Sequence, residues 1–490
     1  MKKATHFCLS FMTRKVIILF ITLPISLILA KGSSVQAQET SNYANYPQLV
    51  NAIKRAEVYI DSVYSARSLP SISVAVTLDQ EIVWQKALGM ADLENGISAN
   101  VNTVYRIQSI TKIFTATRLM QLRDDGILHL DDPVRIYLPS LQVQGNENVT
   151  FRQILSHVAG LPNEAPKADQ WSTYKFPSYN EYKERLKVLE AVQPPFVGYK
   201  YSNVGFNIIG MGLASAGNEP YEDQIDKFIL RPLGMNRSGF SVSPEIATDL
   251  AIGYELSDEK QKRVTSYSAM GAINPSGGLY STVVDLTHFL IFQFSEKNDV
   301  LSVTSRREMR IPHYVYSDWN GGVGLSWHIE KLDDFTVFTQ GGGAPGYVAQ
   351  ISGIDELRLG LALCINTITN QHDIANGLLS IFVPPVKELL DELESDSIPL
   401  LGPEAAIYEG IFYMGESPIL RVWLKDQRLW AIQIGAPKGN ECQFIPTEKE
   451  HQFKMQGGPL NGEKAIYLLD KSDHVISLEA GSYKLTPESK

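Results

Sequence analysis

The stretch RIQSITKIF, Arg106–Phe114, is the part of this 490-residue chain whose reading decides the fold. Ile110, Ile113, Phe114 and Thr117 recur at helical spacing, so a helix is expected to open at Ser109 and to stop at Asp124-Asp125-Gly126. Ser109 and Lys112 are three apart and therefore share one face of that helix. Two readings stay open on these residues alone. In one, Ser109 caps the helix and Lys112 is a solvated lysine of its first turn. In the other, Ser109 is a nucleophile: the helix start favours developing negative charge, and a lysine whose charge is disfavoured by burial can act as its base. S-x-x-K recurs by chance, so this spacing alone favours the cap.

The neighbouring segments supply an architecture. Upstream, Leu49, Ile53, Ala56, Ile60 and Val63 define a helical face. SISVAVTLDQEIVWQKALG reads as two strands joined at Asp79-Gln80. A long, helix-rich and loop-rich middle follows, from about 127 to 330. Strands return with FTVFTQ, YVAQISG and LRLGLALCIN, and then an apolar helix at about 371–382. Strands at both ends with helices between predict an α+β domain, 41–385, whose sheet joins distant parts of the chain. Prolines and acidic residues mark 386–402 as a linker. Residues 403–490 form short alternating runs, which predict a small antiparallel all-β C-terminal domain, barrel or sandwich.

Apolar residues make up 44% of the chain and charged residues 20%, the balance of an ordinary globular protein. A net charge of −10 without a basic stripe argues against a nucleic-acid partner. The N-terminus differs: Lys2, Lys3, Arg14 and Lys15 precede the apolar run Val16–Ala30, and Val35-Gln36-Ala37 resembles a cleavage site. Residues 1–37 read as a signal peptide; the competing reading is an uncleaved anchor, against which stand the short run and Pro24. The expectation is an exported protein, periplasmic or secreted, with no membrane role beyond that signal. Of three cysteines, Cys8 leaves with the signal, and Cys364 and Cys442 stay open as a disulfide pair or two free thiols. Neither the cysteines nor the nine histidines show a metal-ligand spacing.

Two further motifs bear on Ser109. Tyr201-Ser202-Asn203 offers a phenol that can share a proton with the lysine and an amide that can bond lysine and substrate. Gln340-Gly341-Gly342-Gly343 ends an apolar strand, where a substrate backbone can approach closely. S-x-x-K, Y-x-N and a strand-end glycine triplet, in that order, resemble the serine beta-lactamase and penicillin-binding protein superfamily, its class C-like branch in particular. GMADLENGISANVNTVYRIQSITK, ILSHVAGLP, LGMNRSGF, SGGLYSTVVDL and GGGAPGY also resemble its landmarks, over roughly 45–385.

The resemblance implies a beta-lactamase-like antiparallel sheet flanked by helices, with a helical subdomain and no cofactor or metal. Ser109 would be acylated, Lys112 would activate it, Tyr201 would move the proton and Asn203 would position lysine and substrate. The N–H groups of Ser109 and Gly343 would hold the oxyanion, and Gln340, Gly341 and Gly342 would complete the substrate wall. His157 is expected to be structural. Where the superfamily usually has a basic residue or histidine, this chain has Gln340, which weakens recognition of a free carboxylate. That favours a D-amino-acid peptidase or an esterase, acting on a peptide or small molecule. The alternatives are a true beta-lactamase and a non-catalytic wall-binding protein.

Overall fold

The structure is a computed structural model that describes residues 43, 46–257, 260–267 and 269–488. The signal-peptide reading of 1–37 lies outside the described residues.

A nine-stranded antiparallel sheet organises the first domain. The hairpin predicted around Asp79-Gln80 forms from Ser71–Leu78 and Glu81–Asp92. The first of these strands pairs with Leu359–Ile365, Ile72 opposite Ile365, so the two ends of the domain meet in mid-sheet. Tyr347–Ile354, Phe335–Ala344 and His328–Leu332 continue the sheet from there.

Alternation gives the sheet two apolar faces. Ile72, Val74, Val76, Leu361, Leu363 and Ile365 point to the rear, where the helices Pro47–Ala66 and Gln371–Ser397 cover them. Ala75, Ala349, Ile351, Ala362 and Cys364 face the helical middle, and with Phe114, Phe206 and Phe289 they build the larger core. The segment that carries Ser109 is threaded into that second core, through Ile107, Ile110, Ile113 and Phe114.

Two expectations are corrected here. The helix predicted to end near 382 runs on to Ser397, carrying Pro384 and Pro385 inside it. The segment read as a linker is therefore largely helix. An internal proline costs about 3 kcal/mol, but Leu378, Leu379, Phe382, Val383, Val386 and Leu389 are all buried against the rear face, and burial of each such side chain returns about 1.5–3 kcal/mol. Cys364 and Cys442 are both free and buried, one in the sheet and one in the C-terminal domain, so they do not pair.

That C-terminal domain is a closed eight-stranded barrel, from Gly410–Met414 to Tyr483–Pro487, around an interior that includes Phe412, Leu429, Phe444, Phe453 and Tyr467. Closure removes the exposed edges that short strands would otherwise leave. It meets the long helix at its end, where Arg428 Nη2 donates to the Ser395 carbonyl at 2.6 Å. No described helix is long and apolar enough to cross a membrane.

Candidate active site

Ser109 does not cap a helix. It sits in a single 3₁₀ turn, Gln108–Ile110, that leads into the helix Thr111–Asp124, whose N-cap position is Ile110. Gln108 adopts a left-handed backbone, φ 50°, a conformation unusual for a residue with a side chain. Two groups hold it there: Thr111 Oγ1 donates to the Gln108 carbonyl at 2.6 Å, and Gln108 Nε2 donates to Tyr267 at 3.0 Å.

Lys112 lies one turn on, 1% exposed. Its Nζ is 3.0 Å from Ser109 Oγ, 2.7 Å from Asn203 Oδ1 and 2.6 Å from the Ser276 carbonyl oxygen. Burial pushes its pKa down to about 7, with Glu164 opposing the shift. Amide and carbonyl oxygens can only accept, so a neutral amine spends its two protons on Asn203 and Ser276. Its lone pair is then left for Ser109. From the other side, the Tyr201 hydroxyl donates to Ser109 Oγ at 2.7 Å. Burial raises the Tyr201 pKa, so it remains a phenol and a donor. The lysine is thus the group fitted to accept the serine proton.

Local sequence explains how Tyr201 and Asn203 arrive. Ser202 caps the helix Asn203–Gly217, accepting from the Gly205 N–H at 3.0 Å and donating to the Pro162 carbonyl at 2.8 Å. Tyr201 therefore precedes the cap and Asn203 opens the helix, both on the side of Lys112. His157, itself left-handed at φ 56°, accepts from the Ser202 N–H through Nδ1 at 3.2 Å, and its ring lies 4.6 Å from that of Tyr201. Burial keeps this imidazole neutral, its pKa well below the usual value. It holds the tyrosine segment and does not touch Ser109.

The glycine triplet ends the strand Phe335–Ala344, as its sequence suggests. A methyl on Gly342 would overlap the Ile107 carbonyl and stand 3.0 Å from the Ser109 nitrogen, so only glycine lets the strand lie against the Ser109 turn. Gly343 joins Ser109, Asn203 and Ser276 in lining a cavity of about 330 Å³. Gly341 faces the other way, toward Gln350 and Gln371. Gln340 is 3% exposed and its Nε2 donates to the Gly341 carbonyl at 3.0 Å.

Three contributors escaped the sequence reading. Ser276 supplies the carbonyl that fixes Lys112; SGGLYSTVVDL carried it, but a backbone acceptor leaves no side-chain signal. Trp171 lines the cavity. Glu164 accepts from Asn203 Nδ2 at 2.6 Å and from Gln170 Nε2 at 3.2 Å. Burial raises its pKa, although both amides and Lys112 favour its charge.

Fold and site together define a serine-hydrolase type of centre on a lactamase-like sheet. The chain belongs to the beta-lactamase family, whose model matches residues 52–379. Beta-lactamase-like protein 2 of Dictyostelium discoideum is 30% identical over 362 residues, 72% of this chain and 66% of that protein, so the match stops just short of two thirds of the relative's length. Among solved structures, the octameric penicillin-binding protein homologue from Pyrococcus abyssi superposes with a TM-score of 0.62 at 24% identity, covering 88% of this chain and 99% of its own. The beta-lactamase/D-alanine carboxypeptidase from Yersinia pestis gives 0.60 at 21% identity, covering 69% and 99%. At these identities the two structures speak for the fold.

Proposed function

We propose that this protein is an exported serine hydrolase that cleaves amides or esters through an acyl-enzyme on Ser109. The observation that carries the reading is the placement of Ser109 Oγ between the Lys112 amine at 3.0 Å and the Tyr201 phenol at 2.7 Å. In acylation the serine oxygen attacks the substrate carbonyl carbon and its proton passes to Lys112 Nζ. The N–H groups of Ser109 and Gly343 stabilise the oxyanion. Collapse of the tetrahedral intermediate breaks the bond to the leaving amine or alcohol, which takes a proton from the Tyr201 hydroxyl; Lys112 returns one to the phenol. Water then repeats the sequence on the ester, freeing the acid and restoring Ser109.

The wall favours substrates without a carboxylate beside the scissile bond. Among the described residues that line the cavity there is no lysine or arginine, so a penicillin or a D-Ala-D-Ala terminus would find only neutral donors there. Charge-assisted hydrogen bonds are about twice as strong as neutral ones. This supports a D-amino-acid peptidase or esterase over an efficient beta-lactamase. Export rests on the basic, apolar and small-residue order of residues 1–37.

A fluorophosphonate probe followed by mass spectrometry tests the acyl-enzyme. An adduct on Ser109 is expected, and an unmodified Ser109 under every acylating probe would make the protein a binder. A chromogenic cephalosporin beside short nitrophenyl esters and amino-acid anilides orders the substrates. Cephalosporin turnover far above the others would reverse the proposed preference.

A further inference from the structure

Glu164 is more than a support for Asn203. Among the described residues that line the cavity it is the one with a formal charge, and no ion pair is formed to it. Its two hydrogen-bond partners are neutral amides, one to each oxygen, and a carboxylate has about four lone-pair sites. It therefore keeps acceptor capacity on the side open to the cavity. The Asn203 side chain stands between it and Lys112, accepting from the lysine at 2.7 Å and donating to the carboxylate at 2.6 Å. When Lys112 gives up its proton to serve as base, the carboxylate is left without a compensating positive charge nearby.

Trp171 gives a second, independent reason to expect a cation. It lines the same cavity, next to Gln170, and its position is fixed by edge contacts to Phe176 at 5.5 Å and Tyr267 at 6.2 Å. An indole face attracts ammonium groups, and the more strongly the further the pair is desolvated.

We infer that Glu164, with Trp171 beside it, forms the subsite for a protonated amine, so that the preferred substrates are amides or esters carrying a free ammonium group near the scissile carbonyl. This deepens the proposed function and rests on it. A cation at this point takes the place of the charge Lys112 has given up, and a carboxylate there would meet Glu164 as a like charge. Glu164 is thus a specificity residue that also positions Asn203. Acetylating the amine removes the charge and leaves the reacting carbonyl unchanged.

The test is a pair of small amino-acid p-nitroanilides, one with a free amine and one N-acetylated, offered to the full chain at pH 7. The wild type is expected to prefer the free amine by about tenfold or more in kcat/KM, mostly through KM, the size of one charge-assisted interaction. In Glu164→Gln that ratio should fall to near one. Any loss through a displaced Asn203 acts on both substrates and cancels in the ratio.

A ratio near one in the wild type, or one retained in Glu164→Gln, overturns the inference. Should the variant fail to fold, the wild type alone decides: its preference should fade as pH rises through the substrate amine's pKa, about 8, and a ratio flat with pH overturns the inference as well. Fluorophosphonate labelling of Ser109 separates the levels. Labelling without amine preference removes only this subsite; no labelling removes the hydrolase reading and the subsite with it.

Discussion

Lys112 and Cys442 are both buried ionisable groups, one under the active-site cavity and one inside the barrel, and the same cause drives their chemistry in opposite directions. Burial disfavours the charged form of each. For the lysine the charged form is the acid, so its pKa falls to about 7 and a usable base appears near neutral pH. For the thiol the charged form is the base, so its pKa climbs to about 11 and the nucleophile is withheld. The surroundings differ in kind as well. Lys112 has three oxygen partners within 3.0 Å, while Cys442 stands among Phe444, Leu429 and Met455 in an apolar interior. Burial makes reactivity only where a hydrogen-bond network prescribes which proton leaves.

The strongest way to break this contrast is at the proposed nucleophile. Ser109→Ala should lower turnover by about four orders of magnitude or more. Its melting temperature should stay near wild type, because Ser109 carries no cap hydrogen bond. Turnover that survives the substitution would remove Ser109 from the chemistry.

Next comes the base. In the wild type, kcat/KM for a substrate that does not titrate should rise with pH through about 7, since the form that accepts the serine proton is the neutral amine above that value. Lys112→Arg keeps a permanent positive charge and cannot accept a proton. Activity should drop by about 10²–10⁴, and the rise through pH 7 should disappear with it. A profile that keeps the same inflection in the variant would assign that pKa to another group.

Two adjacent glycines give a smaller, sharper test. Gly342→Ala puts a β-carbon into the Ile107 carbonyl and against the Ser109 nitrogen; strand and turn must separate, and a misplacement of about 1 Å can cost about 10² in rate. At Gly343 the added carbon meets only Val348 Cγ1 at 3.7 Å, an ordinary contact. Gly343→Ala keeps its N–H and should stay near wild type on small substrates. Equal losses at the two positions would show that the strand does not need to press on the Ser109 turn.

Much of this was legible in the sequence. Periodicity placed the hairpin at Asp79-Gln80, the helix through Phe114 and the strands around Cys364, because side chains alternating between two apolar cores leave a clear pattern. The residues brought together around Ser109 were likewise visible as S-x-x-K and Y-x-N, since their chemistry resides in side chains. What escaped has physical reasons. The Ser276 carbonyl is backbone and has no letter of its own. Pro384-Pro385 looked like a break because local preference was read without the rear-face packing that overrides it. Glu164 was passed over in GLPNEAP because its importance comes from Asn203 and Gln170, 39 and 6 residues away.

The smallest expected effect falls on the cysteines, and there an absence of change is informative. Iodoacetamide attacks the thiolate. Cys364 is fully enclosed and Cys442 is 5% exposed, and the Cys442 pKa of about 11 leaves only a minute thiolate fraction near pH 7.5. Alkylation of the native protein should therefore be slow and should leave hydrolysis untouched, in contrast to acylating probes on Ser109. Labelling should appear only as each domain opens, so the order of modification in rising urea reports the barrel through Cys442 and the sheet through Cys364 separately. Cys442 reacting first, with activity retained, would show that the barrel can open while the network around Ser109 stands, as expected of a cavity whose described lining residues all fall between 108 and 345. Loss of activity in step with Cys442 labelling would instead couple the barrel to the site and end the separation drawn between the two buried groups.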